Sequence, residues 1–203
     1  CIVGPFQRWL RRPLENHGEI RFGPEARLWL DGVNLVNSGS IEVPGMANDG
    51  TSQILGQRGS RIVHSGLLRL VGTNTVYFQS IPFEHRGTVD WTNGTWRVDG
   101  GGTNATRMDI PVGGRLELSG GWTHLPGAFL GGAGSLLLGS GTNDHQVPLQ
   151  LSGALELVTG VQRFRHSSPS ALRATVRNAT VQLDAPQVFE TLDFDGASIL
   201  GSG

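Results

Sequence analysis

The residue types best suited to chemistry crowd into EHRGTVDWTNGTWRVDGG, residues 84–101. Glu84, His85, Asp90 and Asp99 stand there among Trp91, Trp96 and a run of glycines. Acids and a histidine beside aromatic rings suit sugar binding, sugar hydrolysis or a metal. Glycoside hydrolysis needs two carboxyl groups facing each other, roughly 5–9.5 Å apart. Asp193 and Asp195 in LDFDG are two apart on a strand and share a face, and Asp90 and Asp99 can approach each other across one turn of chain. These four acids are the candidates for a carbohydrate-handling face. The competing reading is strand, turn, strand, turn, with the acids as outward solubilising groups or corner caps.

Other chemistries find little support. The Asp-Asp and Gly-His-Gly phrases of polygalacturonase-like enzymes do not occur. There is no Gly-Lys-Ser/Thr phosphate loop, no His-Glu-x-x-His and no EF-hand loop, and Cys1 is the single cysteine. His17, His64, His85, His124, His145 and His166 are dispersed, and Asn143-Asp144-His145 reads as a turn. No cofactor, metal or catalytic activity is therefore expected. Three Asn-x-Thr sequons, at Asn93, Asn104 and Asn178, are glycosylation candidates; the first two fall in predicted turns and the third on a corner. The formal charge is −1 over 203 residues, which gives no bulk attraction to nucleic acid. All 16 basic residues are arginine. No stretch reaches the ~18 apolar residues of a membrane span.

The elements that position these residues are short and repetitive. Glycine is 31 of 203, about twice ordinary usage, and is scattered among short apolar runs, which predicts an all-β chain with many tight turns. One phrase recurs, Gly-x-apolar-polar-apolar: HGEIRF, SGSIEV, SGLLRL, RGTVDW, GGRLEL, AGSLLL and SGALEL, with Ala replacing Gly in NATVQL and GASIL. Its first apolar residue falls at Ile20, Ile41, Leu68, Val89, Leu116, Leu136, Leu155, Val181 and Ile199, a mean step of about 22 residues. A five-residue phrase cannot bury itself and must stack on its copies. Period-two alternation makes it a strand, so the reading is a β-solenoid of about nine coils, with equivalent strands parallel and ~4.8 Å apart. The apolar positions predict two inward columns, the second through Phe22, Val43, Leu70, Trp91, Leu118, Leu138, Leu157 and Leu183. The residue between them points outward and alternates in sign at Arg21, Glu42, Arg69 and Asp90, a ladder that sets register. Asn16, Asn37, His64 and His85, each two before a glycine, are expected at corners needing positive φ. Residues 44–62, 72–85, 139–149 and 158–176 are expected to bulge as loops, and second strands to run through 26–32, 74–80, 94–101, 127–132 and 190–196.

The stretch GTVDWTNGTWRVDGGGTNATRMDIPVGGRLELSGG, with GGAGSLLLGSG after it, resembles the glycine-rich right-handed parallel β-helix modules of large surface and adhesin-like proteins of filamentous-haemagglutinin type. The resemblance covers residues ~15–203 as a style of repeat. It implies a single-stranded, right-handed parallel β-helix, an extracellular or cell-surface location, and partners that are other copies or other domains of a surface assembly, with glycans as further candidates. The expected function is a stiff rod in a fibre, cell coat, appendage or adhesin shaft; the alternative is a carbohydrate-active or carbohydrate-binding β-helix. Residues 1–13 read as a connector or end cap, with Trp9 and Leu10 over the end of the stack, and residues 14–203 as a β-helix segment excerpted from a longer chain.

Overall fold

A computed structural model describes residues 2–3, 6–45 and 53–201. Among these residues there are strands and no helix, and every strand pairing is parallel. Each coil has up to three faces. The second face is a sheet of ten strands from Phe6–Leu10 to Phe189–Asp195, and the third face another ten from Leu14–Asn16 to Ser198–Gly201. The first face has five strands ending at Thr88–Asp90, then resumes as a separate sheet of three, Arg107–Ile110, Phe129–Gly132 and Leu149–Leu151. The chain is thus a parallel β-solenoid of about nine turns.

The core is one continuous apolar column system. Leu30, Leu35, Val43, Val98, Leu118, Trp122, Leu130 and Leu138 are fully buried, and their cluster runs from Ile20 to Val181. Burying each such side chain contributes about 1.5–3 kcal/mol, which is how five-residue strands without local stability are held. The break in the first face has a visible cause. Trp91 turns inward after Asp90, packs edge-on against Trp96 at 6.3 Å, and its indole N–H donates to the Asp109 carbonyl at 2.8 Å. An indole N–H, not a strand amide, thus reaches the strand Arg107–Ile110 from the preceding coil.

The recurring phrase identifies strands correctly, but not one face. Ile20, Ile41, Leu68 and Val89 are register partners on the first face. Leu116, Leu136 and Leu155 are partners on the second, and Val181 and Ile199 on the third. A corner glycine followed by alternation describes every face alike, so the expected single column is three. Arg21, Glu42, Arg69 and Asp90 do stack in register. Four of the five second strands lie on the second face, whereas 127–132 joins the resumed first face.

Three local expectations change. The segments expected to bulge carry strands Ile54–Gln57, Arg61–His64, Thr75–Gln79, Phe83–His85, Thr142–His145, Gly160–Phe164 and Leu172–Arg177; residues 46–52 of the first segment lie outside the described residues. Asn16, Asn37, His64 and His85 have ordinary φ and point into the interior. The glycines after the last three are required by close approach, since a Cβ on Gly66 would sit 1.9 Å from the Gly39 carbonyl oxygen, whereas Gly18 after Asn16 has open space around it. Finally, within the stretch read as a connector or end cap, Phe6–Leu10 pairs residue for residue with Ala26–Leu30 and adds a rung to the second sheet. Trp9 lies on the outer wall, 46% exposed, and stacks on Trp29 at 4.9 Å.

Candidate functional site

The four candidate acids do not converge. Asp90 lies outward on the first face and pairs with Arg69 at 3.2 Å, and Arg69 also reaches Glu42 at 3.5 Å. Asp99 ends the second-face strand Gly94–Val98; one carboxylate oxygen accepts from the Tyr77 hydroxyl and the other from the Ser80 backbone N–H. Ser80 holds a left-handed φ of 52°, so Asp99 braces a strained corner of the preceding coil. Burial and the Asp99 carboxylate push the Tyr77 hydroxyl up to about 12, while the Arg97 guanidinium lies 4.5 Å over its ring. Asp193 and Asp195 share the outer side of the last second-face strand and are exposed. Asp90 does line a shallow open depression of about 310 Å³ with Asp109, Trp91 and Pro111, at the break in the first face. Both carboxylates are committed there, Asp90 to Arg69 and Asp109 to Arg107 at 2.7 Å.

The sequons sit in three environments. Asn93 is half-buried in the bend before Gly94, and Asn178 is exposed at a corner with φ of 50°. Asn104 closes a third-face strand fully buried, and its amide nitrogen donates to the Phe129 carbonyl at 3.0 Å. A glycan on that nitrogen is incompatible with the folded interior, so Asn93 and Asn178 are the sequons whose positions leave room for one.

The arrangement that sequence reading missed is internal. The last residues of successive third-face strands form one register column: Asn16, Asn37, His64, His85, Asn104, His124, His145 and Phe164. All are buried. The signal was present as the tripeptides LEN, LVN, IVH, FEH, GTN, WTH, NDH and QRF, each with an inward residue two before the column position. Asn16 donates to the Asn37 side-chain oxygen at 2.7 Å. The Asn37 amide meets His64 Nδ1 at 3.0 Å while His64 Nε2 donates to the Thr88 carbonyl at 3.1 Å, which selects the neutral Nε2–H tautomer. His85 Nε2 donates to the Arg107 carbonyl at 3.1 Å. The rings stack nearly coplanar, His64 on His85 at 5.5 Å, His124 on His145 at 5.0 Å and His145 on Phe164 at 4.7 Å.

Burial governs the electrostatics of this column. Desolvation pushes His85 and His145 down to about 4, lowers His64, and holds His124 well below the ordinary imidazole value. Neither nitrogen of His124 or His145 makes a hydrogen bond of good geometry. Gln162, close enough to bias His145, spends its amide on Asn143, Gly139 and Thr159. Stacked rings on successive rungs present faces, not nitrogens, to each other, and among the described residues no group of three or more His, Cys, Asp or Glu is placed to hold a metal ion. The four histidines of the column are buried neutral bases, and opening of the fold would let them take up protons.

No family model, no curated protein and no solved structure matches this chain.

Proposed function

We propose that the chain is a non-catalytic structural segment, a stiff β-helical rod of an extracellular or cell-surface protein that contributes to a fibre, coat, appendage or adhesin shaft. The observation carrying this reading is how the outward charges are used. Many of them bond along the rod axis, between coils: Arg69 to Glu42 and Asp90, Arg115 to Glu156 at 2.7 Å, Arg163 to Asp184 at 2.7 Å, and Arg165 to Asp144 at 2.6 Å. Arg165 holds the Asp144 carboxyl below its usual range, and Arg115 does the same to Glu156. Such ladders reinforce register and stiffness over a continuous core, which is what a shaft requires. Protease shaving of intact source cells should release peptides from 6–201; their retention inside cells would rule the reading out.

A second reading, carbohydrate binding, is supported by the outward Trp9–Trp29 stack, with the Arg11 guanidinium 5.7 Å from the Trp9 ring and Arg11 and Arg58 both facing Asp31. A glycan array comparing the chain with Trp9→Ala tests it. Binding lost in the variant supports this reading, and no binding by the parent removes it.

A further inference from the structure

Side chains close the break in the first face. Thr88–Asp90 and Arg107–Ile110 lie on successive coils, yet no ladder pairing joins them, while the second and third faces pair without interruption through the same coils. Two side-chain N–H groups reach across instead. Trp91, just past the end of the first strand, donates to the Asp109 carbonyl at 2.8 Å. His85, before the corner that leads into that strand, donates from Nε2 to the Arg107 carbonyl at 3.1 Å. The same bond recurs one coil on. Asn104 holds the column position next to His85 and donates to the Phe129 carbonyl at 3.0 Å. There a ladder also joins Arg107–Ile110 to Phe129–Gly132; the His85 bond stands without one.

His85 is the member of this clasp that titrates. Its Nε2 faces a carbonyl and carries the hydrogen, so Nδ1 holds the lone pair, buried and with no partner. A proton on Nδ1 would make a buried cation with an unpaired N–H. Around the ring stand His64, stacked at 5.5 Å from the strand Arg61–His64, Phe83 at 5.9 Å on its own strand, and Asn104 from the next coil. The flanking charges are spent on each other: Glu84 on Arg61 and Arg86, both at 3.3 Å, and Arg107 on Asp109 at 2.7 Å. Among the described residues no carboxylate eases the charging of His85, and His64 opposes it.

We propose that this clasp is an acid-labile latch: on acidification Thr88–Asp90 parts from Arg107–Ile110, starting at the Thr88 and Arg107 end, while the second and third faces of the same coils stay paired. The break is then a pH-dependent weak point of the solenoid. Opening exposes His85 to water, where it titrates near 6.5, whereas in the closed fold burial pushes it down to about 4. The open form therefore binds the extra proton, so opening is hardest above pH ~6.5 and grows easier as pH falls toward ~4. Trp91 does not titrate and holds its end of the clasp at every pH.

Hydrogen exchange read by mass spectrometry, corrected for the intrinsic pH dependence of amide exchange, tests this on the whole chain at pH ~7.5 and ~5. Protection of residues 86–92 and 105–111 should fall on the order of tenfold or more beyond any fall at 94–98 and 114–118 on the second face. His85→Asn copies Asn104, keeping the donor and removing the titration. It should match the parent at pH ~7.5 and show no extra loss at pH ~5. Trp91→Phe removes the other bond and should lower first-face protection at both pH values while keeping its acid dependence. Equal loss on all faces of the parent, no acid loss, or an acid loss that persists in His85→Asn or vanishes in Trp91→Phe would each overturn the proposal. The comparison of faces in the parent decides it alone should circular dichroism show His85→Asn poorly folded.

Discussion

Acid should weaken this protein through its interior, and His145→Phe isolates the effect. In the unfolded chain an imidazole titrates near 6.5, whereas in the fold His85 and His145 are pushed down to about 4. The unfolded state therefore binds more protons between those values, and stability must fall as pH drops from about 6.5 to about 4. Above 6.5 the neutral rings impose no loss; below 4 the loss is complete. At roughly 1 kcal/mol per pH unit of difference, each ring accounts for a total on the order of 3 kcal/mol, of which about 2 kcal/mol is gone by pH ~5. His64 and His124 act in the same direction. The charged groups facing the second pair are Asp144, which opposes the shift of both rings, and the two histidines themselves, stacked at 5.0 Å. Paired carboxylates such as Asp144 and Glu156 are held low and give way only at lower pH, so the two windows separate. His145 is the informative position because its nitrogens make no good hydrogen bond and its ring already stacks on Phe164. His145→Phe should leave stability near neutral pH unchanged or higher. It should remove about 2 kcal/mol of the loss between pH ~7.5 and ~5, read from urea midpoints at each pH. A variant whose pH dependence matches the parent's would refute a neutral, buried His145.

The remaining predictions concern packing and corners. Leu118→Asp places an unpaired charge in a fully buried site between Val98 and Leu138 and should cost more than about 4 kcal/mol, seen as a collapsed melting transition. Gly66→Ala should cost about 3 kcal/mol because its Cβ meets the Gly39 carbonyl, while Gly18→Ala, with nothing within 4 Å, should melt like the parent. Asp99→Asn should lower the titration of Tyr77, the single tyrosine, from about 12 toward 10 without reaching it, since burial remains; tyrosinate absorbance measures this without interference. Expressed in a glycosylating host, the chain should carry glycan at Asn93 or Asn178, with the Asn104 peptide unmodified by mass spectrometry.

Period-two alternation after a corner glycine, repeated at about 22 residues, pointed to an all-β parallel solenoid of about nine turns, because so short a phrase must stack on its copies to be buried. The outward ladder of Arg21, Glu42, Arg69 and Asp90 was legible for the same reason: a one-residue slip would bury every charge. The tertiary structure decided which face each strand joins, since Ile20, Leu116 and Val181 share one local pattern and are told apart by the strands they meet. It also decided that polar residues at strand ends point inward. Asn and His next to glycine look like turn formers, and their burial is tolerable only because the next coil supplies a stacked ring or a hydrogen bond. Asp99 likewise owes its role to Tyr77 and Ser80, about twenty residues away in sequence and one coil away in space. Alternation is a property of neighbouring residues and can be read along the chain; the partner across a coil is set by how many residues each turn consumes, and that number varies from turn to turn.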